Sequence, residues 1–130
     1  MTVKCFEDLE IWQESRELCK VVRQFTFREP FNHEFRFRDQ MNASSGSIMD
    51  NIAEGFDRDG TKEFLQFLSI SKGSCGETRS QSYRAFDAGY IIQEELDDIL
   101  NRTQRLKLKI GNFMNYLKNS PLTGTKYKKI

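Results

Sequence analysis

Residues 40–55, QMNASSGSIMDNIAEG, decide how the chain folds. Met41, Ile48 and Ile52 recur at helical spacing, yet the middle of the stretch is a run of small residues, Ala43 to Ser47. Glycine inside a helix costs about 1 kcal/mol relative to alanine. That cost is tolerated where a second helix backbone must come close. Residues 69–76, SISKGSCG, are the other stretch of this kind. The two are expected to form facing halves of one close helix–helix contact.

Working outward, a chain of 130 residues suits one domain with one core. It has no run of about 18 apolar residues, so a membrane-spanning helix is excluded. The start, MTVKCFEDLE, carries no apolar signal core, and a cytoplasmic protein is expected. Cys5, Cys19 and Cys75 are widely spaced, and His33 is the single histidine. That set completes no usual zinc site, so reduced thiols are expected, with neither metal nor cofactor. A net charge of +1 gives no global attraction to nucleic acid. Any basic patch must come from local segregation.

Apolar periodicity predicts an all-α chain with helices over about 7–28, 32–57, 61–89 and 93–118. The first and last have acids early and bases late, which complements the helix dipole. Pro30 separates helices 1 and 2. Asn32 and Thr61 are expected to cap helices 2 and 3, and Gly55 to close helix 2 in a left-handed conformation. Gly73 and Gly76 are expected to bend helix 3. Short connections make residues 1–119 an antiparallel, up-down-up-down four-helix bundle. Residues 120–130 form a basic tail, expected to be flexible or loosely docked. In this bundle Ser44 should lie near Gly73, Ala43 near Ser74, Ser47 near Ile70 and Gln40 near Glu77.

Glu54 and Glu77 are the one carboxylate pair that invites a catalytic reading. The expected register separates them by about 20 Å along the bundle, too far for joint acid/base work. A structural role follows instead: Glu77 pairing with Gln40, and Glu54 or Asn51 capping the helix 2–3 corner. The serines lack a histidine partner other than the distant His33, and residues 73–76, GSCG, lack the lysine of a phosphate loop. Cys75 reads as a small buried residue. No Glu-x-x-His pair exists to build a di-metal site. The chain is therefore expected not to be an enzyme. The remaining candidate is Arg23, Arg28, Arg36 and Arg38, interleaved with Phe25, Phe27, Phe31, Phe35 and Phe37 around the helix 1–2 turn. Bases and aromatics in that mixture bind nucleic acid through phosphate contacts and stacking. Lys118, Lys126, Lys128 and Lys129 would add to it.

The segments FEDLEIWQESREL, DQMNASSGSIMDNIAEGFDR, KEFLQFLSISKGSCGET and AGYI, in this order, resemble the bacterial four-helix proteins encoded in 23S rRNA intervening sequences. The resemblance covers about residues 6–118. Its most specific residues are Gln40, Ser47, Asn51, Glu54 and Gly55 of helix 2, and Gly73, Ser74 and Glu77 of helix 3. It departs from the family pattern before Gln40, where Arg38-Asp39 replaces a leucine-like residue. The resemblance implies a homopentameric ring of bundles without established enzymatic activity. It also implies a distant similarity to accessory proteins of diversity-generating retroelements, pentamers that bind a reverse transcriptase and nucleic acid. The expected function is binding of RNA or DNA, with rRNA or the chain's own transcript as target, or of a ribonucleoprotein. The alternative is an adaptor for a protein such as a reverse transcriptase.

Overall fold

The computed structural model describes residues 3–120. Four helices make the frame: α1 (Glu10–Thr26), α2 (Phe35–Asp57), α3 (Thr61–Asp87) and α4 (Gln93–Lys118). Single 3-10 turns at Phe6–Asp8 and Phe31–His33 precede α1 and α2. There is no strand among the described residues. The tail beyond residue 120, with Lys126, Lys128 and Lys129, lies outside them.

The helix ends differ from the sequence expectation in ways that local chemistry explains. Leu9 is extended (φ −77°, ψ 128°), so α1 starts at Glu10 instead of residue 7. It stops at Thr26, two residues short. Phe31 is fully buried and packs against Phe25, Phe37 and Tyr90, with ring centroids 6.2, 5.0 and 4.8 Å away. That burial ties residues 31–33 into the 3-10 turn and delays α2 to Phe35. Asn32 therefore does not cap α2, and its Oδ1 is buried without a hydrogen-bond partner among the described residues. Thr61 is already helical, and Gly60 stands at the cap with φ +111°. Only glycine adopts that conformation cheaply.

The far end of α3 closes at a glycine in the left-handed region. Gly89 takes φ +80°. Its N–H donates to Phe86 O at 2.9 Å, and the Tyr90 N–H donates to Ala85 O at 2.9 Å. This double bond pattern satisfies carbonyls that the helix end would leave bare. Helix α4 begins with Glu95 reaching back, its Oε1 accepting from the Ile92 N–H at 2.9 Å. Helix α3 runs without a break through Gly73 and Gly76.

One core runs the length of the bundle. Leu18, Val22, Met41, Ile48, Ile52, Phe64, Leu68, Ile99 and Ile110 are fully buried. Burial of such side chains is worth about 1.5–3 kcal/mol each. Contacts join α1 to α2, α2 to α3, α3 to α4 and α4 back to α1. Between α1 and α2, Cys19 meets Ser45 and Thr26 meets Asn42. Glu14 meets Arg105 while Glu10 meets Lys109.

The α2–α3 seam corrects two expectations. The expected register is off by about one helical turn. Ser47 meets Ser74 (Oγ–Oγ 2.9 Å), not Ile70. Ser44 reaches past Gly73 to Thr78 Oγ1 at 3.0 Å and donates to Gln81 Oε1 at 2.5 Å. Ser71 donates to Ile48 O at 2.9 Å. Gly55 is also not a left-handed terminator: it is a buried helical residue, and α2 runs on to Asp57. A Cβ there would lie 2.7 Å from Phe67 Cβ and 2.9 Å from Phe64 Cδ1. The close helix approach is therefore at Gly55. At Gly46, Gly73 and Gly76 a Cβ would meet nothing within 4 Å.

Candidate nucleic-acid interface at the α1–α2 corner

The arginines that the sequence groups together separate in space. Arg28 turns toward α4. Its NH1 and NH2 donate to the two Glu95 carboxylate oxygens at 2.7 and 2.9 Å, and NH2 also reaches Tyr90 O at 3.1 Å. Glu95 is thus held by Arg28 and by the Ile92 N–H, which together keep its carboxyl below the usual carboxylate range. Arg28 ties the corner to α4, with Glu95 already paired to its charge. Arg36 lies about 200° around α2 from Arg38, on the opposite side of the helix. It is exposed and makes no ion pair among the described residues.

Arg23 and Arg38 do come together, over phenylalanine. The Arg23 guanidinium sits 4.2 Å from the Phe27 ring centroid, and that of Arg38 sits 4.9 Å from the same ring. Arg38 also lies 5.1 Å from Phe35. The order Arg23, Phe27, Arg38, Phe35 makes a cation–π ladder across the α1–α2 side of the corner. Helix geometry places it: Phe35 and Arg38 are three residues apart on α2, while Arg23 and Phe27 are four apart at the end of α1. Arg38 is the fixed rung, with a side chain 21% exposed. Its Nε donates to Asp39 Oδ1 at 3.1 Å and its NH1 to Asn32 O at 3.2 Å. Arg23 meets no carboxylate among the described residues. Lys20, Arg23, Gln24 and Phe27 line a shallow depression beside the ladder.

The aromatics divide too. Phe25 and Phe31 fill the bundle end, and Phe37 is half-buried under the Arg84 guanidinium, 4.3 Å from its ring centroid. Phe27 and Phe35 remain 43% and 63% exposed. Arg84 belongs to the same end of the bundle and went unnoticed in the sequence, because nothing local links residue 84 to Phe37. Lys118, which the sequence assigns to the α1–α2 corner, lies instead beside the α2–α3 turn, where a second cationic feature forms. Lys72 of α3 and Lys107 and Lys118 of α4 line one groove with Asn112 and Asn115. None of the three lysines pairs with a carboxylate among the described residues. Lys107 and Lys118 share a stripe of α4 at an eleven-residue interval, which is the sequence signal for it.

The residues most specific to the family pattern sit on the seam and its outer face. Asn51 Nδ2 donates back to Ser47 O and Oγ at 2.8 and 2.9 Å, instead of capping the α2–α3 corner. Glu54 pairs with Arg58 at 2.7 Å on the surface, also without capping it. Gln40 and Glu77 are both exposed and do not bond to each other, since the register places Thr78 and Gln81 opposite Ser44. Gly73 is exposed, whereas Ser74 is buried. Burial pushes the Cys75 thiol up to about 12, which fits a core residue and not a nucleophile. Among the described residues no cluster of His, Cys, Asp or Glu has the arrangement to hold a metal ion. No helix among them is long and apolar enough to cross a membrane.

Comparison with known proteins adds a lineage. A family model described as 23S rRNA-intervening sequence protein matches residues 7–112. A crystal structure from Bacteroides thetaiotaomicron VPI-5482, described as a protein with unknown function from the S23 ribosomal protein family, is similar with a TM-score of 0.73. The two chains share 21% identity, over 80% of this chain and 97% of that one. At this identity the likeness speaks for the fold. No curated protein matches significantly.

Proposed function

The chain belongs to the 23S rRNA-intervening sequence protein family, and from that premise we propose that it is a non-enzymatic, homo-oligomeric protein that binds nucleic acid at the α1–α2 corner. The observation that carries this reading is the exposed ladder Arg23–Phe27–Arg38–Phe35. It presents the Arg23 guanidinium, without an acid partner among the described residues, next to exposed aromatic rings. Phosphate attraction and ring stacking are the two interactions that hold single-stranded nucleic acid without reading its sequence. Ribosomal RNA or the chain's own transcript is the target we favour, in a reducing cytoplasm that keeps the three thiols free.

The antiparallel, up-down-up-down bundle is, in this reading, the protomer of a homopentameric ring. A ring repeats the corner around one face. Repetition matters because one corner offers few charges, and linked weak contacts gain effective concentration. The test is light scattering on the purified protein during size exclusion, at low and high salt, with the A260/A280 ratio recorded. A pentamer-sized species that carries nucleic acid at low salt and sheds it at high salt supports both parts. A monomer free of nucleic acid at low salt refutes both. A salt-insensitive complex with a protein, without nucleic acid, moves the function to an adaptor.

A further inference from the structure

Phe35 is the terminal rung of the ladder. It is the first residue of α2 and is 63% exposed. The only cation near its ring among the described residues is Arg38, and no aromatic ring packs on it. A phenylalanine so placed serves no core: the neighbouring Phe31 and Phe37 fill the bundle end without it. One side of its ring meets Arg38, which is itself bonded to Asp39 and the Asn32 carbonyl. An exposed aromatic ring at the end of this ladder offers a face to extend a stack, and Arg23, at the ladder's other end over Phe27, supplies the charge that attracts the accompanying phosphate.

Resting on the nucleic-acid reading above, we infer that the ligand is single-stranded RNA, and that Phe35 is the platform on which an unpaired base stacks. In an A-form duplex the base faces are covered by their neighbours, and recognition there falls to shape, phosphates and 2′-hydroxyls. Such a helix has no free face to give Phe35. An unpaired base does, and stacking of this kind tolerates any sequence because every base has a π-face. The selectivity between strand states is thus assigned to Phe35, and the general attraction to Arg23.

The test uses the full chain and three ligands: an unstructured 12-mer RNA, the same RNA paired to its complement, and the 12-mer with one 2-aminopurine. Affinity is read by anisotropy and stacking by quenching of the 2-aminopurine. The wild type should prefer the single strand to the duplex by about tenfold or more and quench the probe. Phe35→Ala should bring that preference close to one and abolish the quench, while Phe35→Trp keeps both. Arg23→Glu should weaken both RNA forms and leave the preference in place. Because Phe35 is exposed, Phe35→Ala should keep the wild-type circular dichroism and melting temperature. If Phe35→Ala retains the preference while RNA binding persists, the inference is overturned and the nucleic-acid reading survives. If the wild type binds neither RNA, both fall. If Phe35→Ala lowers the mass seen by light scattering, the ring covers a contact between copies of this chain, and the stacking role is overturned.

Discussion

Between α2 and α3, the hydroxyls of Ser44, Ser47, Ser71, Ser74 and Thr78 all find partners inside the protein. At the α1–α2 corner, Arg23 ends over a phenylalanine ring with no carboxylate among the described residues to meet it. Both regions are rich in residues that sequence patterns mark as special, and they use them oppositely. In the seam, each polar group consumes another, as buried groups must. At the corner, charge and aromatic surface remain unspent. The difference teaches that a residue typical of the family pattern is not thereby a binding residue. What separates the two kinds is whether the fold already satisfies the side chain.

The comparison can be broken most violently at Gly55. Leucine there has no room, since even a Cβ falls 2.7 Å from Phe67 Cβ. Overpacking of this sort costs about 1–3 kcal/mol or more, and thermal melts should show a large fall. A wild-type melting temperature for Gly55→Leu would mean the seam is not closely packed. Next, Ser44→Val should cost about 1–3 kcal/mol in urea titration, because Gln81 Oε1 loses a buried donor 2.5 Å away. Removing the polar group at exposed Gln40, as in Gln40→Ala, should cost under about 0.5 kcal/mol.

Smaller effects sharpen the contrast. Gly73→Ala should stabilise the protein by up to about 1 kcal/mol, because a Cβ there meets nothing within 4 Å and alanine is the better helix former. The Arg28–Glu95 lock should show in the pH dependence of stability. Arg28 holds the Glu95 carboxyl below its ordinary range, so its folded pKa is depressed. That contribution is fully present above the ordinary carboxylate pKa of about 4.3 and is lost as pH falls through the lower folded value. The Arg28 side chain is 47% exposed, so solvent limits the pair to under about 1 kcal/mol. Stability curves of wild type and Arg28→Ala should differ at pH 6 and converge as pH falls toward 3. Curves that stay parallel would deny the lock.

Much of the frame was legible in the residues themselves. The apolar stripe of α4 located residues 93–118 without error, since its three- and four-residue spacing runs unbroken from Leu96 to Leu117. The start of α2 was not legible. It depends on Phe31 burying itself against Phe25 and Tyr90, a tertiary contact that overrides the local capping preference of Asn32. The seam register differs from the expected one by about one turn because the Gly55–Phe67 contact and the hydroxyl pairs, not the length of the α2–α3 connection, set it. At the corner, sequence proximity grouped Arg28 and Arg36 with Arg23 and Arg38. Helix periodicity already separates Arg36 from Arg38. No local signal tells that Glu95, distant in the chain, claims Arg28.

The central claim is that the unspent charge at the corner binds nucleic acid while the seam only builds the fold. The most direct test is the affinity of the wild type, Arg23→Glu and Asn51→Ala for a short RNA, measured across a salt series. Each phosphate contact contributes about 0.7 to 0.9 to the slope of log affinity against log salt. The account predicts a salt-dependent wild type, an Arg23→Glu variant with weaker binding and a shallower slope, and Asn51→Ala unchanged in both. Equal binding by wild type and Arg23→Glu, or loss of binding in Asn51→Ala with the fold intact, would contradict it.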